Sequence, residues 1–409
     1  MTKHRILRQM AAASAIAAVA VGLVGCGSSD SGSDGAEQKT TTTAAAEQVA
    51  LSEEQATAAA TTHADLVWAS YTDTVDAATQ LQTDIAAFVA DPTDATLETA
   101  KQSWLTARDA YGPTEVFRFS DGPIDNPDDG PEGQINAWPM DEAYVDYVED
   151  DPEAGIINDA EGVPEITREV IVSANEEGGE TNISTGWHAI EFLLWGQDLS
   201  ESGPGERPVT DYTTSPTAER RGQYLTQVTD LLVEDLTGVA DQWNPEGGAY
   251  RTEFLEDPDQ AVSDILRGMG ALSAGELAGE RIAVALDTKE QEDEHSCFSD
   301  NTLADVINNA RGIQLAYTAE YEGVDGPSLS DVVADVDPEL DADLLEQLEA
   351  NVARAEGLEK FGTFEEIIRS DEDSEGHVEM SGLVDDLQAQ GDAIAAVGAA
   401  LGYEVSLEI

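Results

Sequence analysis

The chain has 409 residues, and 84 aspartates and glutamates against 19 lysines and arginines give it a net charge of −65 at pH 7. Because a nucleic-acid-binding surface must be basic, this balance excludes a binder of DNA or RNA. The acid is spread along the whole chain and 41% of the residues are hydrophobic, which excludes general disorder. We attribute the charge to adaptation to high salt, where a screened carboxylate coat keeps a protein soluble; a cation-attracting surface is the alternative.

The N-terminus has the pattern of a bacterial export signal. Basic residues at positions 3, 5 and 8 precede an apolar stretch from Met10 to Val24, which ends in Leu-Val-Gly followed by Cys26. This resembles a lipoprotein signal, cleaved before a cysteine that is then lipidated. We therefore predict a signal peptide over residues 1–25, lipidation of Cys26 and a flexible tether over 26–50. The protein would be exported and anchored by lipid to the outer membrane, facing the periplasm, or to the cell surface. An ordinary secretory peptide is the alternative.

Helical periodicity dominates the rest of the chain. Apolar residues at three- and four-residue steps predict a helix from Leu51 to Asp91 and a second from Thr93 to Pro113, packed as an antiparallel hairpin. A loop rich in Gly and Pro follows, and its length suggests a function. Further helices are predicted near 141–148, 165–174, 184–196, 218–236, 259–287, 299–322, 338–356 and 380–401. No strand series is evident, so we predict an all-α protein with helical bundles at 51–243 and 244–409.

The helix predicted over 184–196 contains two polar residues in an apolar sequence. His188 and Glu191 are three residues apart and share one helix face, while almost every other position is apolar. Burial of an imidazole and a carboxylate is unfavourable unless they are paired or bound to metal. The spacing suits one metal ion, although it lacks the second histidine of a zinc-protease HExxH motif, and a simple His–Glu hydrogen bond explains the same residues.

A second polar segment runs from Glu292 to Thr302. His295 and Asp300 are compatible with metal binding, and Cys297 is a candidate soft ligand that has no disulfide partner once Cys26 is lipidated. A cysteine protease is disfavoured because His295 is only two residues from Cys297. Alternatively, Ser299 or Asp300 caps the following helix.

Two other stretches are assigned no site. The loop from Asp125 to Asn136 is superficially similar to a calcium loop, but Pro127 occupies a ligand position and Asn136 stands where the bidentate glutamate belongs. His377 lies in an acidic run and is predicted to be solvated.

Four blocks of the sequence resemble the imelysin family. The block at 186–196, Gly-Trp-His-Ala-Ile-Glu-Phe-Leu-Leu-Trp-Gly, is similar to the family's GxHxxE signature. Blocks at 117–125, 135–139 and 295–302 resemble the family in the same order. In one departure, many relatives have a histidine after Asp-Asn-Thr where this chain has Leu303, which indicates a reduced site if that histidine binds metal.

The resemblance implies an all-α fold of two four-helix-bundle-like halves, compatible with an ancient duplication, with the site in the cleft between them. It implies an exported, often lipid-anchored protein of iron acquisition, and it makes His188 and Glu191 the metal-site residues. The family is labelled a metallopeptidase, yet many members are associated with iron or haem uptake, so enzymatic activity stays open.

We therefore hypothesise a lipoprotein that binds iron or an iron chelate, with zinc, copper or haem as alternatives. Its partners would be components of iron uptake and, through the lipid alone, a membrane, but no nucleic acid. A metal-dependent peptidase and a non-catalytic surface adaptor are the alternative functions. The additional candidate ligands are Asp125, Glu132, His295 and Asp300.

Overall fold

The computed structural model describes residues 50–200, 202–407 and 409. Among them no strand forms apart from an isolated bridge between Val148 and Asp151, so the all-α prediction is confirmed. The predicted signal peptide, Cys26 and the tether up to residue 49 lie outside the described residues. No helix in the described ranges is both long and apolar enough to cross a membrane.

The helices vary widely in length, and several short ones connect the long ones. In chain order they are α1 (Glu53–Ala90), α2 (Asp94–Tyr111), α3 (Glu132–Ile135), α4 (Glu142–Val145), α5 (Arg168–Ala174), α6 (Gly186–Trp195), α7 (Ala218–Gln242), α8 (Ala249–Phe254), α9 (Pro258–Gly270), α10 (Val284–Thr288), α11 (Thr302–Thr318), α12 (Leu329–Val336), α13 (Pro338–Leu358), α14 (Phe364–Arg369) and α15 (Glu375–Leu401).

A first group of helices is built on α1. As predicted, α1 and α2 form a hairpin, and capping boxes at Ser52 and Thr93 satisfy the backbone N–H groups at their N-termini. Helix α7 packs against α1, and the short α6 packs between α2 and α7. Helix α6 therefore lies inside this group rather than on its surface.

A second group is built on a continuous helical run from residue 258 to 288. Its middle, Ala271–Ala283, is a π-helix that joins α9 to α10. This run packs against α11 and α15, and α13 packs between α11 and α15. Such π-helical segments are rare and often accompany functional sites.

The two groups share contacts across the predicted boundary at residue 244. Helix α1 packs against α7, which precedes residue 244, and against α9, which follows it. All the described residues belong to one compact unit. The division into domains at 51–243 and 244–409 stays a prediction.

The sequence did not identify α3, α8, α12 and α14, and it placed the start of α15 too late. Helix α15 begins at Glu375, where the Ser374 side chain accepts the N–H of His377. His377 is therefore buried in the first turn of a helix, and the prediction that it is solvated was wrong.

Many of the scarce arginines are used inside the protein. Asp146, which is fully buried, accepts hydrogen bonds from Arg207 at 2.8 Å and from Arg221 at 2.7 Å, and these bonds fix α7 to the segment that follows α4. Arg108 and Arg281 are also buried in ion pairs. The buried arginines are therefore matched by buried carboxylates and leave few basic side chains on the surface.

We expect the protein to be stabilised by salt, because exposed carboxylates repel one another until counterions screen them. The Debye length falls from about 10 Å at 0.1 M salt to about 3 Å at 1 M. Thermal unfolding followed by circular dichroism should show Tm rising by more than about 5 °C over this range, equally with NaCl and KCl. A Tm that does not change with salt would contradict the halophilic interpretation.

His63 in α1 is a buried neutral histidine outside the polar sites. Its ring lies 5.4 Å from that of Phe117 and 6.0 Å from that of Phe254. Burial lowers its pKa to about 3, and its Nδ1 has no hydrogen-bond partner among the described residues. Protonation of this imidazole therefore opposes folding.

The variant His63→Phe should reduce the loss of stability in acid. Between the unfolded pKa of 6.5 and the folded pKa of about 3, the unfolded chain binds a proton that the folded chain excludes. In this window the free energy of unfolding therefore decreases as the pH is lowered, by about 1.4 kcal/mol per pH unit for this histidine. Urea unfolding at a series of pH values should give a shallower slope for the variant, and an unchanged slope would refute this effect of His63.

Candidate metal centre

Helix α6 carries the centre of the site and is buried at every position from Gly186 to Trp195. Gly186 has φ +78°, and a Cβ there would lie 2.4 Å from the carbonyl oxygen of Ile135 and 2.7 Å from that of Gln134. Only glycine fits this left-handed conformation and close backbone approach. The glycine of the signature thus sets α6 against the 132–136 segment.

Both ends of α6 are held by hydrogen bonds to its carbonyl groups. The Trp104 indole donates to the carbonyl of Trp187 at 3.1 Å, and the Tyr212 hydroxyl donates to that of Leu193 at 2.6 Å. The helix ends at Gly196, as predicted, while Thr185 occupies the N-cap without a side-chain hydrogen bond. The polar residues of α6 are therefore carried on a rigid element.

His188 and Glu191 form a buried pair. His188 Nδ1 lies 3.0 Å from Glu191 Oε2, and Glu191 Oε1 accepts hydrogen bonds from the Ser299 backbone N–H at 2.9 Å and its hydroxyl at 2.7 Å. Both carboxylate oxygens are thus engaged. His188 Nε2, in contrast, is buried and has no hydrogen-bond partner within the described ranges.

Burial sets the protonation of this pair. It lowers the pKa of His188 to about 3 and raises the pKa of Glu191 to about 8 despite the hydrogen bonds from Ser299. Near neutral pH His188 is therefore a neutral imidazole, which carries a proton on only one of its two ring nitrogens. When the proton is on Nδ1, Nε2 keeps its lone pair. A cation bound at Nε2 would favour this tautomer, because an ionised Glu191 accepts the Nδ1 hydrogen and stabilises the imidazole.

His295 places a second imidazole beside the first. The ring centroids of His188 and His295 are 4.8 Å apart with an interplanar angle of 70°. His295 Nδ1 lies 2.8 Å from Asp305 Oδ2, and burial, followed by the charge of Arg281, lowers its pKa well below the ordinary value. The site thus contains two neutral imidazoles, each held at Nδ1 by a carboxyl group.

A network of buried charges surrounds the histidines. Arg108 contacts Asp305 at 2.9 Å and Glu115 at 4.0 Å, and it donates to the Asn136 side-chain oxygen at 2.7 Å. Glu115 also pairs with Arg281 of the π-helical segment. The network therefore connects α2 to both the GxHxxE region and the second helical group.

The predicted site residues are only partly brought together. Glu132 pairs with Arg118 at 3.2 Å at the edge of the network. Asp125 accepts backbone N–H bonds from its own loop, one from Ser120 at 3.1 Å and one from Gly122 at 2.8 Å. Asp300 lies in the turn that follows Ser299. Leu303, at the position of the relatives' histidine, is buried at the start of α11.

Two partners of the site were missed from the sequence, and one was assigned the wrong role. Arg108 shares an apolar helix stripe with Trp104 and Tyr111, a pattern that could have identified it as a buried cation. No comparable pattern in the sequence indicates that Asp305 is buried at the site. The alternative in which Ser299 or Asp300 caps α11 was wrong, because Asn301 occupies that N-cap and Ser299 binds Glu191.

The donor set around His188 is small. Among the described residues, no three His, Cys, Asp or Glu ligand atoms within 4.8 Å of one another include His188. The protein can offer Nε2 of His188, with the neighbouring His295 imidazole beside it, and the remaining positions must be filled by whatever accompanies the metal. The described residues therefore do not supply a complete ligand set for a bare ion at His188.

Arg108→Met should destabilise the fold strongly, because it leaves Asp305 and Glu115 without their shared cation. Breaking a buried ion pair typically costs about 3–5 kcal/mol. The matched control is Arg311→Met, since Arg311 pairs with Glu356 at a site where both side chains are 47% exposed. That change should cost less than about 1 kcal/mol. Equal losses in urea unfolding would contradict a structural role for the network.

Comparisons with known proteins identify relatives of the whole fold. The family model described as Imelysin matches residues 67–394. Iron-regulated protein A of Synechococcus elongatus is 29% identical over 272 residues, which cover 64% of this chain and 64% of that protein. The chain thus matches somewhat less than two thirds of this relative's length.

Two crystal structures share the fold at low sequence identity. A candidate iron-regulated protein A precursor from Parabacteroides distasonis has a TM-score of 0.66 and 18% identity, covering 85% of this chain and 96% of its own. An imelysin-like protein from Psychrobacter arcticum has a TM-score of 0.63 and 16% identity, covering 88% and 99%.

Proposed function

The chain belongs to the imelysin family, and from this premise we propose that it is an exported lipoprotein of iron acquisition that binds iron at His188. The iron would arrive as a chelate or as haem. The Synechococcus relative is named as an iron-regulated protein. The lipoprotein-like sequence that ends at Cys26 supports export and anchoring, and components of iron uptake are the proposed partners.

The unpartnered Nε2 of His188 is the observation that carries this proposal. A histidine that binds metal usually donates its other N–H to a carboxylate, which fixes the ring and strengthens the ligand. Glu191 occupies that position, with Oε2 3.0 Å from Nδ1. We therefore assign metal ligation to His188 and orientation of its ring to Glu191, while Ser299 holds the carboxylate.

The chemistry of the site allows several transition metals. Imidazole nitrogen suits iron, zinc and copper, and the choice depends on geometry and on supply. Arg108 is already paired with Asp305 and Glu115, so the charge of an anionic chelate would have to be balanced by its own metal. Asp125 and Glu132 have other partners and are not needed as ligands in this arrangement.

Two cavities adjoin residues 297–299, of which Ser299 binds Glu191. Cys297 and Phe298 line one cavity of about 860 Å³, and Ser299 lines another of about 740 Å³. Both cavities share Asp198, and the larger one also presents Glu142, Glu292 and Glu366. Carboxylates around these cavities raise the local concentration of cations next to the segment that holds Glu191.

Removal of the His188 imidazole should abolish most of the iron binding. Iron binding can be measured by titrating the metal-free protein with ferric citrate, ferrous ion and haemin. The titrations are followed by absorbance, and bound metal is determined by elemental analysis after gel filtration. We expect His188→Ala to weaken binding of the preferred form by at least about tenfold, and Glu191→Gln to have a smaller effect.

His63→Phe is the matched control, since it removes another buried neutral histidine outside the site. It should bind as the wild type does. If the wild type takes up none of the three iron forms, or if His188→Ala binds as well as His63→Phe, the proposal is wrong.

A further inference from the structure

The segment Ala271–Ala283 adopts a helical form that its own sequence does not favour. Most of its residues are alanine, leucine, glutamate or arginine, which are strong α-helix formers. It nevertheless forms a continuous π-helix between α9 and α10, although π-helical stretches are usually limited to a single turn. Contacts with the rest of the protein must therefore impose the π register.

One ion pair inside the segment depends on this register. Arg281 Nη2 lies 3.0 Å from an oxygen of Glu276, which is five residues earlier in the chain. In a π-helix, backbone hydrogen bonds join residues five apart, so such residues share a face. In an α-helix, residues five apart point in directions that differ by about 140°. Conversion to an α-helix would therefore separate the two side chains.

The same two side chains contact the charge network around the histidines. Arg281 pairs with Glu115, and an oxygen of Glu276 lies 3.6 Å from the Arg118 guanidinium. Glu115 in turn lies 4.0 Å from Arg108, the central cation of the network. Only a helix that presents positions 276 and 281 on one face can make both contacts, so the network requires the π register.

A second set of contacts holds the start of the segment against α15. The Ser273 hydroxyl donates to the carbonyl of Leu387 at 2.8 Å and accepts a hydrogen bond from the Gln390 amide at 2.9 Å. Gly391 allows the two helices to approach closely, since a Cβ at this position would lie 2.7 Å from the Cβ of Ala274. The segment is therefore fixed at both of its ends.

The residues that follow α15 run back across this contact, and we call residues 403–407 the strap. The Tyr403 hydroxyl donates to Asp259 of α9 at 2.8 Å. Leu407 lies at the start of the π-helix, where a Cβ on Gly270 would be 2.6 Å from its Cδ2. Because Leu407 is only half-buried, its contact can be removed without opening the hydrophobic core.

From these contacts we propose that Ala271–Ala283 is a two-register switch, kept in the π form by the strap at its start and by the ion pairs of Arg281 at its end. Release of the strap favours the α form that the sequence prefers. The α form withdraws Arg281 from Glu115 and loosens the network around the histidines. Such coupling is reciprocal, so a change in the network also alters the hold on the strap. The inference does not rest on iron binding.

Hydrogen–deuterium exchange, read by mass spectrometry of overlapping peptides from the intact protein, tests the switch. Leu407→Ser removes the strap contact and should increase amide exchange at least about fivefold along the whole of 271–283, because each change of register breaks backbone hydrogen bonds. Helix α13 should keep its wild-type rates. Leu407→Met, which preserves the contact, should behave as the wild type does. Exchange that rises only near Gly270, or not at all, would overturn the proposal.

The reverse effect is tested at the other end of the segment. Arg281→Met removes the ion pairs there and should increase exchange around Ser273 at least about fivefold. If this variant does not fold, Glu276→Gln takes its place, since the Glu276 side chain is 15% exposed. The matched control is Arg311→Met, which removes an exposed ion pair of α11 and should leave the segment unchanged. Increases confined to the neighbourhood of each substitution would show that the two ends are independent and would refute the switch.

Discussion

The structure depends on the burial of Arg108 among carboxylates. Its guanidinium joins Asp305, Glu115 and Asn136, which come from parts of the chain far apart in sequence. A buried ion pair contributes little net stability compared with an apolar core, but loss of one partner is severely destabilising. The role of the network is therefore better explained as positioning the site residues, because Asp305 holds the His295 ring against His188.

Helix α6 is part of the hydrophobic core and also carries the two polar residues of the site, and these two roles favour different side chains. Apolar residues around the helix ensure that it is buried, and burial then keeps His188 neutral and Glu191 largely protonated. The same desolvation prepares an imidazole nitrogen to accept a metal, because a protonated imidazole cannot bind one. Ser299 offsets part of the cost by donating two hydrogen bonds to Glu191.

The sequence contained enough information to identify α6 and the long helices, because these depend on local periodicity. It also identified His188, Glu191 and His295, which the fold brings together. It did not reveal that Glu191 faces Ser299 or that Asp300 turns away from the histidines, since both depend on a left-handed residue at position 300 that no periodicity records. Partners such as Arg108 and Asp305 are fixed by packing between distant helices and could not be assigned from local pattern.

The acid coat and the buried histidine pair differ in what they could do to a metal ion. In concentrated salt, attraction between the coat and a cation is screened within a few ångströms, so the coat cannot select one ion from an excess of sodium. Selection requires donor atoms held in a fixed geometry, which a solvated surface does not provide. His188 meets that requirement, because its ring is buried and its Nδ1 lies 3.0 Å from Glu191. In so acidic a protein, burial and geometry rather than net charge would therefore determine where a particular metal binds.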